Sequence, residues 1–86
     1  MNSDYSVIIN PLTTEKSVRM MESQNKLVFI VAKGSTKRSI KKAIESMFNV
    51  KVSDVNTHLR GGKKIAFISL HPDFNAMDIA TQLGIL

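Results

Sequence analysis

Lys37, Arg38, Lys41 and Lys42 recur at the spacing that puts them along one side of a helix, a row of cations suited to a line of phosphates. Lysine supplies a point charge and arginine a planar fork that can meet phosphate with two bonds. The pairs Lys37/Lys41 and Arg38/Lys42 sit four residues apart, and each such like-charged pair costs an isolated helix about 0.2–0.5 kcal/mol. Glu45 can offset one of them, and phosphates would relieve the remainder while releasing counterions. Taken alone, this helix is explained as well by an ordinary solvated basic face. Lys33 precedes it, however, Lys51 follows it, and Arg60, Lys63 and Lys64 cluster further on. Nine of the twelve Lys and Arg residues thus lie between Lys33 and Lys64, against only Glu45 and Asp54. That interval carries +7 and the rest of the chain −2, a segregation that marks a surface for a polyanion, with nucleic acid the favoured one.

Alternation from Asp54 puts Asn56, His58 and Arg60 on the strand face opposite Val55, Thr57 and Leu59. Amide, imidazole and guanidinium can all donate to phosphate, sugar or base edges, and a plain solvent-facing polar strand is the competing reading. Reading single-stranded bases takes exposed aromatic platforms, and the chain has only Tyr5, Phe29, Phe48, Phe67 and Phe74, most of them on expected core faces. A folded RNA recognised by shape and backbone fits better. Catalysis finds little support: His58 and His71 lie far apart with no Cys and no carboxylate at metal-ligand spacing, and Gly61-Gly62 is too short for a phosphate-cradling loop. No catalytic residue, metal, cofactor or small-molecule substrate is expected.

The elements that hold these residues follow from periodicity. Val7 to Asn10 predicts a short strand ended by Pro11, and Thr13 or Thr14 can cap a helix to about Ser23, with Val18 and Met21 inward. Lys26 to Ala32 reads as a central strand, and Ser35 or Thr36 can cap the next helix. Ile40, Ala43, Ile44, Met47 and Phe48 form its single apolar stripe. Val50 and Val52 share one parity and Val55, Thr57 and Leu59 the other, so the third strand is expected to begin at about Asp54. Gly61-Gly62 signals a hairpin to Lys64–Leu70, Pro72-Asp73 breaks that strand, and Ala76, Ile79, Ala80 and Leu83 trace a last helix ended by Gly84. The order β-α-β-α-β-β-α describes an α+β domain.

Eighty-six residues fit one domain, here residues 1–86, with one modest core. At 43% hydrophobic and 22% charged, the chain is too apolar for a disordered basic tail. The absence of Cys excludes a disulfide scaffold and a thiolate site and fits a reducing, cytoplasmic interior. Leu27 to Ala32 is the longest apolar run, and Met1 to Asn10 lacks a basic region leading into an apolar one, so neither membrane insertion nor export is indicated.

Four motifs in order then carry a resemblance that covers nearly the whole chain: Pro11-Leu12-Thr13-Thr14-Glu15-Lys16-Ser17, Asn25 to Val31, Ile40 to Glu45 leading to Phe48 to Val52, and Val55-Asn56-Thr57. Together they resemble the family of the twenty-third large-subunit ribosomal protein, in its short archaeal form. The resemblance implies a four-stranded antiparallel sheet flanked by helices, bound on the ribosome to large-subunit ribosomal RNA beside the exit of the nascent-chain tunnel, among neighbouring ribosomal proteins. It implies RNA contacts from Thr14 and Lys16, from Asn56 and Thr57, and from Lys41 and Lys42. It also matches Glu15 to the acidic residue offered to exit-site factors, the signal recognition particle for an archaeal-type member. A tight basic turn, Arg60 to Lys64, stands where many bacterial members carry a long tunnel-reaching loop. Two other classes remain as alternatives: a free-standing RNA-binding module, marked by tight binding to short single strands, and a small α+β enzyme acting on a phosphorylated substrate, which would need a convergent nucleophile or base.

Overall fold

A computed structural model describes residues 7–84. Tyr5 and most of the Met1 to Asn10 stretch lie outside them. The order is β1 (Ile8–Pro11), α1 (Glu15–Gln24), β2 (Lys26–Val31), α2 (Lys37–Phe48), β3 (Val52–Arg60), β4 (Lys63–Leu70) and α3 (Ala76–Gln82). This is the α+β order expected from the pattern. The strands form one antiparallel sheet in the order β1-β2-β4-β3, so the apolar run of β2 lies inside the sheet, as its lack of alternation requires.

Each helix start is fixed by local hydrogen bonding. Of the paired candidates, Thr14 and Thr36 are the caps: each side chain accepts from the backbone N–H three residues on, and Ser17 and Ser39 answer with their hydroxyls. Both helices therefore open with a capping box in which Ser stands in for the more usual Glu or Gln. Asn25 and Asn49 end them in the left-handed conformation at φ 55°, which Asn tolerates better than most side chains. Asn25 does more than end α1. Its amide donates to the Phe74 carbonyl at 2.8 Å and its side-chain oxygen accepts from the Ala76 N–H at 2.7 Å, so it fastens the loop before α3 to the end of α1.

The core lies on one face of the sheet. Ile40, Ala43 and Ile44 of α2, Ala76, Ile79 and Ala80 of α3 and Met21 of α1 close over Leu27, Phe29, Val31, Val55, Ala66 and Ile68. Phe48 stacks on Phe29 with ring centroids 6.2 Å apart. Helix α1 also reaches past the sheet edge. The ladder of β1 ends with the Leu12 N–H donating to the Val28 carbonyl. Beyond that point Leu12, Ser17 and Met20 stand beside Val28 and Phe67 on the opposite face.

The change of parity between Val52 and Val55 is not a strand start. β3 already pairs at Val52, opposite Leu70, and a bulge between Val52 and Asp54 turns the alternation over, which lets both Val52 and Val55 face the core. Glu45 stabilises this place: its carboxylate accepts from the Val52 N–H at 2.9 Å instead of offsetting a lysine on its own helix. Gly61 and Gly62 close the hairpin with φ of 56° and 77°, the pair of positive values that a two-residue type I′ turn demands.

Candidate nucleic-acid interface

The nine cations of the Lys33 to Lys64 interval do not form one patch. Lys37, Arg38, Lys41 and Lys42 are all exposed on α2, away from the buried Ile40, Ala43 and Ile44, so they stand on the outer side of the helical layer. Lys51 joins them, since it lines a hollow of about 550 Å³ together with Lys41 and His71. Lys33 is exposed at the turn leading into α2. Lys64 points its ammonium at backbone instead, 2.6 Å from the Ser35 carbonyl and 3.4 Å from that of Lys33, and so ties the β2–α2 turn to β4. Its charge is shared between structure and surface.

The second set occupies the other side of the sheet. Register places Asn56 opposite Phe67, His58 opposite Ile65 and Arg60 opposite Lys63, which puts these side chains on the face not covered by α2 and α3. The start of α1 closes in on the same face, where Thr14, Lys16 and Arg60 rim a hollow of about 80 Å³ floored by Met20, Val28, Ile65 and Phe67. Residues far apart in the chain, Thr14 and Lys16 on one side and Arg60 on the other, are thereby brought together. His58 meets the Phe67 ring edge-on, with centroids 5.4 Å apart. The Asn56 amide donates to the Asp54 carboxylate at 3.3 Å.

Thr57 stands, as the alternation expects, on the face opposite Asn56: it pairs with Ala66 on the helix-covered side and is half-buried, so the two neighbours lie on different faces. Leu59, expected on the inner face with Val55, is 75% exposed, because β3 runs on beyond the apolar cover of α2. Phe67 departs from the expectation for the aromatics, standing half-exposed on the open face while Phe29, Phe48 and Phe74 pack in or against the core. The hollow it floors could not be read from β4 alone, since Lys16, Ser17 and Met20 of α1 and its cap Thr14 supply part of its wall.

Among the described residues the ion pair between Lys or Arg and a carboxylate is Glu15 with Arg19 at 3.1 Å; His71 Nδ1, which accepts from the Asp73 N–H, lies 3.5 Å from the Asp73 carboxylate. The cations of both sets therefore have no acidic partner there. Glu22, Asp73 and Asp78 line a cleft of about 720 Å³ between the ends of α1 and α2, the loop before α3 and α3 itself, next to the hollow that Lys41 and Lys51 line. Glu15 stands exposed in the first turn of α1, held by Arg19 one turn on, with side chains 84% and 75% exposed. The described residues contain no group of three His, Cys, Asp or Glu able to hold a metal ion, and no helix long and apolar enough to cross a membrane.

The sequence matches those of known proteins. The family model described as Ribosomal protein L23 matches residues 6–78. The large ribosomal subunit protein uL23 of Methanothermobacter thermautotrophicus is 44% identical over 82 residues, covering 94% of this chain and 95% of that protein. Its counterpart from Methanococcus vannielii is 42% identical over 82 residues, with the same coverage. With the α+β order, the four-stranded antiparallel sheet and the two cationic surfaces in place, the match across nearly the whole chain establishes that this protein belongs to the ribosomal protein L23 family of the large ribosomal subunit.

Proposed function

We propose that the chain is a structural constituent of the large ribosomal subunit that binds large-subunit ribosomal RNA beside the polypeptide exit tunnel, in the cytoplasm, and that it helps form a docking platform for exit-site factors. The observation that carries this reading is the presence of two cationic surfaces on opposite sides of one small sheet, neither neutralised by acidic partners among the described residues. A protein of this size with charge on two sides suits insertion between folded RNA segments, where each surface meets its own backbone. Thr14, Lys16, Asn56, Arg60 and Lys63 serve the sheet side, and Lys33, Lys37, Arg38, Lys41, Lys42 and Lys51 the helix side; Lys64 and Thr57 contribute less, being tied to backbone and turned to the helices respectively.

Glu15 is the docking residue in this reading. It lies exposed at the start of α1, beside the RNA-facing rim of Thr14 and Lys16, where an arriving factor can reach it. A hairpin closed by two glycines is too short to extend into a tunnel, so the protein acts at the exit and not inside it. The direct experiment is sedimentation of tagged protein from a cell extract. Co-migration with the large subunit, stable to gradient centrifugation and lost at high salt, is expected; a free protein at the top of the gradient would refute the assignment.

A further inference from the structure

The hollow between the start of α1 and the open sheet face differs from the rest of the cationic surface. Its floor is apolar, built from Met20, Val28, Ile65 and the half-exposed ring of Phe67, while Lys16 and Arg60 stand at its rim and no acidic residue lines it. Paired RNA needs only the rim, because an A-form duplex offers its sugar–phosphate edge and leaves such a floor unmatched. A single strand bound by stacking needs a row of rings, and this face has one. The Thr14 side-chain oxygen accepts from the Ser17 N–H, and its own O–H makes no hydrogen bond among the described residues, so the rim also holds a free donor. At about 80 Å³ the hollow has room for two to three waters at ~30 Å³ each, the scale of one ring edge and not of a whole nucleotide.

We propose that this hollow receives one unpaired RNA base, seated edge-first against Phe67 and Met20, with the flanking phosphates held by Lys16 and Arg60. The proposal rests on the RNA-binding reading above and adds to it a preference for a bulged or looped-out nucleotide. Edge contact with the Phe67 ring and removal of the apolar floor from water supply the preference; the cations supply affinity common to any RNA.

The test uses the full chain with methyl-labelled Met, Ile and Val, titrated at one salt concentration with two RNA hairpins that differ only in a single bulged adenosine. The bulged hairpin should bind about tenfold more tightly and should shift the methyls of Met20, Val28 and Ile65. Phe67→Leu keeps apolar bulk but removes the ring, and should erase the preference while leaving affinity for the paired hairpin unchanged. Met20→Gln, at a half-buried helix position, gives a second variant should Phe67→Leu lower the melting temperature. Equal binding of the two hairpins, or an equal loss for both in the variants, overturns the proposal while leaving RNA binding intact. If the same methyls shift only on addition of a neighbouring large-subunit protein, the hollow belongs to a protein partner and the proposal fails. Failure of both hairpins and of large-subunit ribosomal RNA to bind would instead bring down the RNA-binding reading itself.

Discussion

The outer side of α2 and the open face of the sheet are both cationic, but they are built by different means. On α2 the cations come from one continuous segment and lie on a helix whose opposite side is buried at Ile40, Ala43 and Ile44 and partly buried at Met47 and Phe48. On the sheet, α1, β3 and β4 each contribute, and the charges surround an apolar floor. A helix face of this kind can count phosphates but cannot distinguish one nucleotide from another. The sheet face adds a ring, an imidazole and a hollow, features that respond to what lies between the phosphates. The difference teaches that like charge need not mean like function: under the proposed RNA-binding reading, α2 would supply affinity and the sheet face discrimination.

The most damaging way to break the comparison is to remove the seat of α2. Ile44 has no exposed surface and belongs to the core, so Ile44→Ala should cost about 2–5 kcal/mol in urea denaturation and disturb both surfaces together. A loss below about 1 kcal/mol would mean that the stripe does not hold the helix to the sheet. A smaller, more pointed change is Glu45→Ala, which leaves the half-buried Val52 N–H without its acceptor and should cost about 1–3 kcal/mol. Since the bulge beside Val52 sets which β3 residues face outward, this variant should loosen the register of Asn56, His58 and Arg60, seen as faster amide exchange along β3 and β4. Glu45→Gln keeps an acceptor and should recover most of the loss.

The smallest effect on stability belongs to Glu15→Ala. Its partner Arg19 is exposed and the site is at the helix start, so about 0.3–1 kcal/mol is all that dipole and pair together account for. Ribosomal RNA binding should be unchanged and the affinity of assembled subunits for an exit-site targeting factor should fall. Unaltered factor affinity at normal subunit incorporation would leave Glu15 as a helix residue only.

How far these surfaces could be foreseen follows the same division. The α2 face was legible because both its apolar stripe and its cations repeat with the helical period within twelve residues. The alternation that puts Asn56, His58 and Arg60 on one face was legible for the equivalent reason in a strand. The parity change at Ser53 was visible too, but its resolution as a bulge depends on β4 and on the Glu45 carboxylate, partners a single strand does not disclose. The role of Asn25, which joins residues about fifty positions away, left no local signal beyond an amide at the end of a helix. The hollow was not legible at all: it exists because α1 leaves the line of β1 after Leu12 and brings Met20 beside Val28 and Phe67, a tertiary placement.

The central claim is that this chain holds large-subunit ribosomal RNA through phosphate contacts from two surfaces. It is tested most directly by the salt dependence of its affinity for that RNA, measured for the wild type and for Lys41→Ala with Lys42→Ala. If about six of the nine cations in the Lys33 to Lys64 interval meet phosphates, log K should fall against log salt with a slope of about −4 to −5. The double variant should keep its melting temperature, because both lysines are exposed, and should lose about 1.4–1.8 from the magnitude of that slope. A wild-type slope near zero, or a slope unchanged in the double variant, would contradict the account.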